Sequence, residues 1–173
     1  MPILLRRRQR QKALVTNAAR AVAGVTNSNG SSAAAARSVF GLVTSSGFAR
    51  AHAGASHTLS ASVVAGEGSE KQTDYAYRTQ RHLADLPAPE GIGREAGERA
   101  VRKVGSGSLP SGKMPVVFDP RVGGGILGHL LGAMSAPAIA RKASFLLGRE
   151  DEQLFDTAIT IAEDPHRLRG LRS

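Results

Sequence analysis

Alternating and helical spacings of apolar residues divide the chain into two kinds of segment. From His57 to Ala65 (HTLSASVVA), Thr58, Ser60 and Ser62 alternate with Leu59, Ala61 and Val63. That two-residue period predicts a strand with one face buried and the other in water. Ser38 to Ser45 (SVFGLVTS) is rich in strand formers, and Gln72 to Arg81 carries Tyr75 and Tyr77 two apart. Both predict further antiparallel strands. Ser46-Gly47, followed by small residues to Ala55, separates the first two strands. Gly66 and Gly68 turn the chain before the third.

After Leu86-Pro87-Ala88-Pro89 interrupts the extended pattern, the period changes. Between Pro89 and Val104, residues Ile92, Ala96, Ala100, Val101 and Val104 fall on one helical face. Glu95 with Arg99, and Glu98 with Arg102, are spaced to pair four residues apart. A loop over Gly105 to Gly112 precedes a short buried strand, Met114 to Phe118. Two helical stretches follow, Val122 to Met134 and Ala136 to Leu147, broken near Ser135, and then a strand-like Thr157 to Ile161. The order of strands and helices predicts an α+β fold, an antiparallel sheet with helices.

Composition narrows the picture. Leu, Ile, Val and Phe supply 39 of 173 residues, there are five Phe and no Trp, and much of the remaining apolar content is alanine. Each alanine buries little area, so the core is expected to be thin. The absence of cysteine excludes disulfides, thiolate metal sites and a thiol nucleophile. The net charge of +9 is unevenly placed. Residues 1–66 hold eight Lys or Arg and no acid, whereas the remainder is nearly balanced.

Four of those charges are Arg6, Arg7, Arg8 and Arg10. Met1 to Ala23 is rich in Arg and Ala, and Leu4, Leu5, Gln11, Lys12, Val15 and Val22 allow a loose amphipathic helix. An organelle transit peptide shares this composition; the plainer reading is a basic, frayed extension over residues 1–23. Such an arm binds nucleic acid only nonspecifically, through counterion release, with an affinity that falls steeply with salt. At the other end, Arg169-Gly170-Leu171-Arg172-Ser173 follows the last strand-like run closely, as in a domain cut short.

The remaining motifs are weak. Gly107-x-x-x-x-Gly112-Lys113 resembles a phosphate-binding loop, but Met114 stands where Ser or Thr is needed, and the segment leads from a helix to a strand rather than the reverse. Val122 to Ala140 has no formal charge and contains Gly124, Gly128 and Gly132 at four-residue spacing. Its glycines, His129, Ser135 and Pro137 argue against a membrane span and for two short helices packed tightly through small residues. No two of the five histidines stand four apart, and none precedes a glutamate, so a helical zinc-hydrolase motif is absent. His129, within an apolar helix, reads as a packed core residue. Glu163-Asp164-Pro165-His166 reads as a charged turn. No catalytic, cofactor-binding or metal-ligating set emerges.

Several strings taken together resemble the TldD/PmbA family, in particular its PmbA (TldE) branch. They are Val25-Thr26-Asn27-Ser28, the run from Leu59 to Gly68, Arg81-His82-Leu83-Ala84-Asp85-Leu86, Pro115-Val116-Val117-Phe118-Asp119-Pro120, Arg141-Lys142-Ala143-Ser144-Phe145-Leu146, and Glu163-Asp164-Pro165-His166 with Arg169-Gly170-Leu171. Their order and spacing also match. The resemblance implies a piece of a larger protein. After the basic extension come a middle α+β domain over residues 24–105 and the truncated start of a C-terminal domain over residues 113–173.

TldD-type subunits of the family are metalloproteases with His-Glu-x-x-x-His on a helix. PmbA-type subunits pair with them, lack that motif and take part in degrading unstructured peptides in the cytoplasm. With Arg141-Lys142 aligned, the resemblance places the two metal histidines on Gly128 and Ala133 and the glutamate on His129. It therefore implies a protein inactive by itself, with zinc expected only in a TldD-type partner.

Overall fold

Strand β2 (Ala49–Ala65) is the middle strand of a three-stranded antiparallel sheet, between β1 (Val25–Val43) and β3 (Gln72–Gln80). The structure, a computed structural model, describes residues 2–149 and 151–171. It comprises two units, residues 1–108 with 164–173 and residues 109–163. The sheet belongs to the first.

The alternation in β2 has its expected consequence. Leu59, Ala61, Val63 and Ala65 are buried on one face. On the opposite side Ser60 pairs with Tyr77 and Ser62 with Tyr75. The two tyrosine rings stack there with centroids 6.2 Å apart, and the Thr58 and Thr79 hydroxyls hydrogen-bond across the strands at 2.9 Å.

Two helices cover the apolar face. Helix α2 (Pro89–Arg102) buries Ile92, Ala96 and Ala100 and packs Val101 against them, with Val104 just beyond its end, the face read from its spacing. Glu95 takes Arg99 at 2.6 Å and also Arg78 of β3 at 2.7 Å. Glu98 and Arg102 make no pair among the described residues. Asp74, almost wholly buried, accepts from the Tyr75 backbone N–H at 2.7 Å and meets Lys103 Nζ at 2.9 Å.

The other helix corrects the reading of residues 1–23 as a frayed extension. Pro2–Arg20 form helix α1, whose Val15 and Ala19 are fully buried in the same core as Leu59 and Ile92. The stripe is narrow, two buried residues four apart, but it crosses α2 at two glycines. A Cβ placed on Gly93 would lie 2.1 Å from the Val15 carbonyl oxygen, and one on Gly97 2.8 Å from that of Ala19. Absent side chains let the two backbones touch, so small residues suffice to close the core.

β1 starts at Val25 rather than Ser38, and β2 at Ala49 rather than His57. The Ser- and Ala-rich stretches have little strand propensity of their own. Each becomes a strand because the other supplies its hydrogen-bonding partner, from Val25 opposite Ala65 to Val43 opposite Ala49, with register shifts between Val25 and Asn27 and between Ser28 and Gly30. The hairpin closes at Ser46-Gly47 as expected, with Gly47 at φ +85° and its N–H donated to the Thr44 carbonyl at 3.1 Å. β3 ends at Gln80 opposite His57, so the outer part of the hairpin continues as a two-stranded ribbon.

The second unit contains helix α3 (Pro120–Met134) and the single turn α4 (Ala136–Ala140), separated at Ser135. Asp119 caps α3 by accepting the Arg121 backbone N–H at 2.9 Å. Three expectations fail here. The helix expected to reach Leu147 stops at Ala140; Lys142 takes φ +54°, and the Ser144 hydroxyl donates to the Ala133 carbonyl at 2.7 Å. Met114 to Phe118 and Thr157 to Ile161 are irregular rather than strands. A strand needs a neighbour for its backbone groups, and neither run has one among the described residues. Their apolar side chains stay exposed, Val117 to 97 %. Nor do Gly124, Gly128 and Gly132 make a tight seam, since a Cβ on any of them would meet nothing within 4 Å. The close glycine packing lies at Gly93 and Gly97 instead.

Candidate functional site

Two regions hold the chemistry available to this chain. In the second unit, α3 carries Gly128, His129 and Ala133, the positions on which the resemblance places the catalytic motif. His129 is exposed rather than packed in a core. It lines an apolar cleft of about 400 Å³ with Ile126, Leu130, Phe145 and Phe155. Arg149 also borders the cleft, but its guanidinium is committed to Glu152, with Nη2 2.7 Å from Oε1. That hydrogen bond, reinforced by the arginine's charge, holds the exposed Glu152 carboxyl below its ordinary pKa.

Zinc needs nitrogen, sulfur or carboxylate donors converging on one point. Glycine and alanine have no donor atoms, so positions 128 and 133 do not fit the ion, and an imidazole at 129 is no substitute for a carboxylate base. His52 and His57 lie on β2, His82 follows β3, and His166 sits in the charged turn, where its backbone N–H donates to Asp164 Oδ1 at 3.2 Å. Among the described residues no three His, Cys, Asp or Glu side chains gather as a metal set. The loop-like Gly107 to Lys113 forms no cradle at a helix start; it is irregular and exposed. No helix among the described residues is long and apolar enough to cross a membrane.

The second region went unnoticed in the sequence. Within the first unit, a cavity of about 370 Å³ lies between the start of α1 and the sheet. Arg7, Arg8 and Gln11 of α1 form one wall, while Ala33, Ala35 and Arg37 of β1 with Ala55 and His57 of β2 form the floor. Leu83 and Leu86, at the turn after β3, close one side. Arg8 Nη2 reaches the Ala35 carbonyl at 3.5 Å, which places its guanidinium over the floor. The lining contains no acidic residue.

A two-helix layer on a three-stranded antiparallel sheet, followed by a separate helical unit, defines an α+β protein of two units. The family model described as the PmbA/TldA metallopeptidase central domain matches residues 9–104, and that of the C-terminal domain of the same metallopeptidases matches residues 111–173. The chain belongs to this PmbA/TldD metallopeptidase family. The central match begins at residue 9, in keeping with the burial of Val15 and Ala19.

Among its relatives, the metalloprotease PmbA of Escherichia coli O157:H7 is 34% identical over 149 residues, covering 86% of this chain and 33% of that protein. A PmbA homolog from Haemophilus influenzae is 31% identical over the same length and shares. A crystal structure of a Bacteroides thetaiotaomicron protein, described as a candidate modulator of DNA gyrase, superposes with a TM-score of 0.73. It is 29% identical, with 81% of this chain and 32% of that one covered. A similarly described Thermotoga maritima protein gives 0.74 at 21% identity, covering 82% of this chain and 32% of that one, a likeness of fold. The chain thus spans about a third of the length of the relatives it matches.

Proposed function

We propose that this chain is a noncatalytic component, of PmbA/TldE type, of a TldD/TldE-like metalloprotease complex that degrades unstructured peptides in the cytoplasm. The observation that carries this reading is the donor set on α3. Where the resemblance places His-Glu-x-x-x-His, the chain has Gly128, His129 and Ala133. Family membership supplies the protease context; the missing ligand atoms support a reading in which zinc and the hydrolytic step belong to a TldD-type partner. The apolar side chains exposed along α3, among them Ile126, Leu131 and Met134, give a partner area to cover, and their burial favours association.

The test is co-elution. Mixed with a TldD-type subunit, the chain should move to a larger species in size-exclusion chromatography with light scattering. Leu131→Glu, on an exposed position of α3 that supports no core, should weaken that association tenfold or more without changing the melting temperature of the first unit. Independent elution of the two proteins at micromolar concentration would refute the assembly.

A further inference from the structure

Two arginines of the cavity, the half-buried Arg8 and the exposed Arg37, continue the faces of α1 and β1 that pack on the core. Along β1, Ala33 opposite Leu59 packs against the core, and the next residues on that face are Ala35, opposite His57, and Arg37, opposite Ala55. Along α1, the face that carries Ala19 and Val15 into the core continues back through Gln11 to Arg8. The helix row runs from the fully buried Ala19 and Val15 to the half-buried Arg8, the strand row from the partly buried Ala33 to the exposed Arg37, and they end at the same cavity.

The charge there is uncompensated. No acid occurs in residues 1–66, none lines the cavity, and Arg7 and Arg37 make no hydrogen bond or ion pair among the described residues. Gathering cations in a partly enclosed, apolar-floored space is unfavourable without an anion. The floor selects among anions. Alanine and leucine side chains make up most of the lining, and Gln11, His57 and Thr58 are its only polar groups besides the arginines. An apolar group fits that floor. The volume lies near the lower end of the range for ligand pockets, roughly 300–1,000 Å³.

We propose that this cavity binds a carboxylate carried on a short apolar body, with the guanidinium groups of Arg8 on the α1 wall and Arg37 at the end of the β1 floor gripping the carboxylate and the floor alanines taking the apolar part. Two sources offer that chemistry, the C-terminal residue of an unfolded peptide and a medium-chain fatty acid. The peptide source rests on the proposed function; the carboxylate site rests on the cavity alone.

The probes are Gly-Gly-Ala-Val-Leu with an acetylated N-terminus and a free C-terminus, the same peptide amidated, and octanoate, each titrated against the full chain by isothermal titration calorimetry. The free acid should bind, and the amide should bind about tenfold more weakly or worse, having lost a charge-assisted hydrogen bond. Arg8→Gln combined with Arg37→Gln should weaken the acid equally, with an unchanged melting temperature. Arg20→Gln, on the same helix but outside the cavity, should have no effect. Octanoate that binds while the peptides do not, and that is lost in the double variant, keeps the site and assigns it to the fatty-acid source. Equal binding of acid and amide, no binding of either carboxylate, or indifference to the double variant overturns the proposal. So does stronger binding of an oligothymidylate at the same arginines. None of these results bears on co-elution with the TldD-type subunit, so the two readings fail separately.

Discussion

Replacing Gly93 with alanine should destabilise the first unit by about 2 kcal/mol or more, although alanine favours a helix over glycine by up to about 1 kcal/mol. The added methyl would stand 2.1 Å from the Val15 carbonyl oxygen and 3.0 Å from the Ala19 nitrogen. Both are backbone atoms of α1 and cannot rotate away, so the helix itself must withdraw. Withdrawal opens a gap at Val15 and Ala19, which are fully buried, and forfeits contacts with Ile92 and Leu59. Gly91 on the same helix is the control. A Cβ there meets nothing within 4 Å, so Gly91→Ala should leave stability unchanged or raise it by a few tenths of a kcal/mol. Urea unfolding followed by circular dichroism measures both. Equal stability of the two variants would mean that α1 does not rest on α2 in solution.

A second large contrast is expected in amide hydrogen exchange. The amides of Leu59, Ala61 and Val63 lie in the middle strand, paired on both sides and covered by two helices. They should exchange only through opening of the whole unit, at least about a thousandfold slower than an unprotected amide. The second unit offers no such cover. Leu146 is its sole buried apolar residue among those described, and no residue of α3 is buried. Glycine occupies positions 123, 124, 125, 128 and 132 of that helix, each costing about 1 kcal/mol against alanine. A helix of this length with that content is not stable without packing. Its amides, and those of residues 151–161, should exchange within about tenfold of the unprotected rate in the isolated chain. A TldD-type subunit should slow them. Uniformly slow exchange through residue 161 in the isolated chain would show that the second unit holds together unaided.

The elements legible in the sequence are those whose local pattern agrees with their environment. β2 alternates because one face meets helices and the other water, and α2 shows its stripe because Ile92, Ala96 and Ala100 all face the sheet. Ser46-Gly47 announces a turn through the left-handed backbone it needs, and Ser135 interrupts the helices as read. What escaped depends on partners distant in the chain. Val15 and Ala19 are too few to mark α1 as a core helix, and the arginines beside them suggest a solvated arm. The pairing of Asn27 to Ala36 with β2 overrides their weak strand propensity. Gly93 and Gly97 read as weak points of a helix until α1 is seen to touch them, whereas Gly124, Gly128 and Gly132 have the same spacing and no contact.

Met114 to Phe118 and Thr157 to Ile161 carry strand composition without strand neighbours, so their pattern predicts an element the described residues cannot complete. The site divides the same way. Gly128, His129 and Ala133 could be placed from the family resemblance, since a missing donor atom is legible in a residue's name. The arginine cavity could not. Arg37 continues the core-packed face of β1 only in the register set by Ala33 opposite Leu59, and Arg8 that of α1 only once Val15 has fixed which side of α1 meets the sheet.

The proposed function makes this chain a member of a metallopeptidase family that leaves the metal chemistry to its partner. Zinc content and peptide hydrolysis, measured together on the purified chain, test it most directly. After dialysis against zinc-free buffer the chain should hold far less than one zinc per molecule, and it should leave an unstructured peptide uncleaved, with cleavage arising only when a TldD-type subunit is added. One zinc retained per chain, with cleavage by the chain alone that a chelator abolishes, would contradict the account.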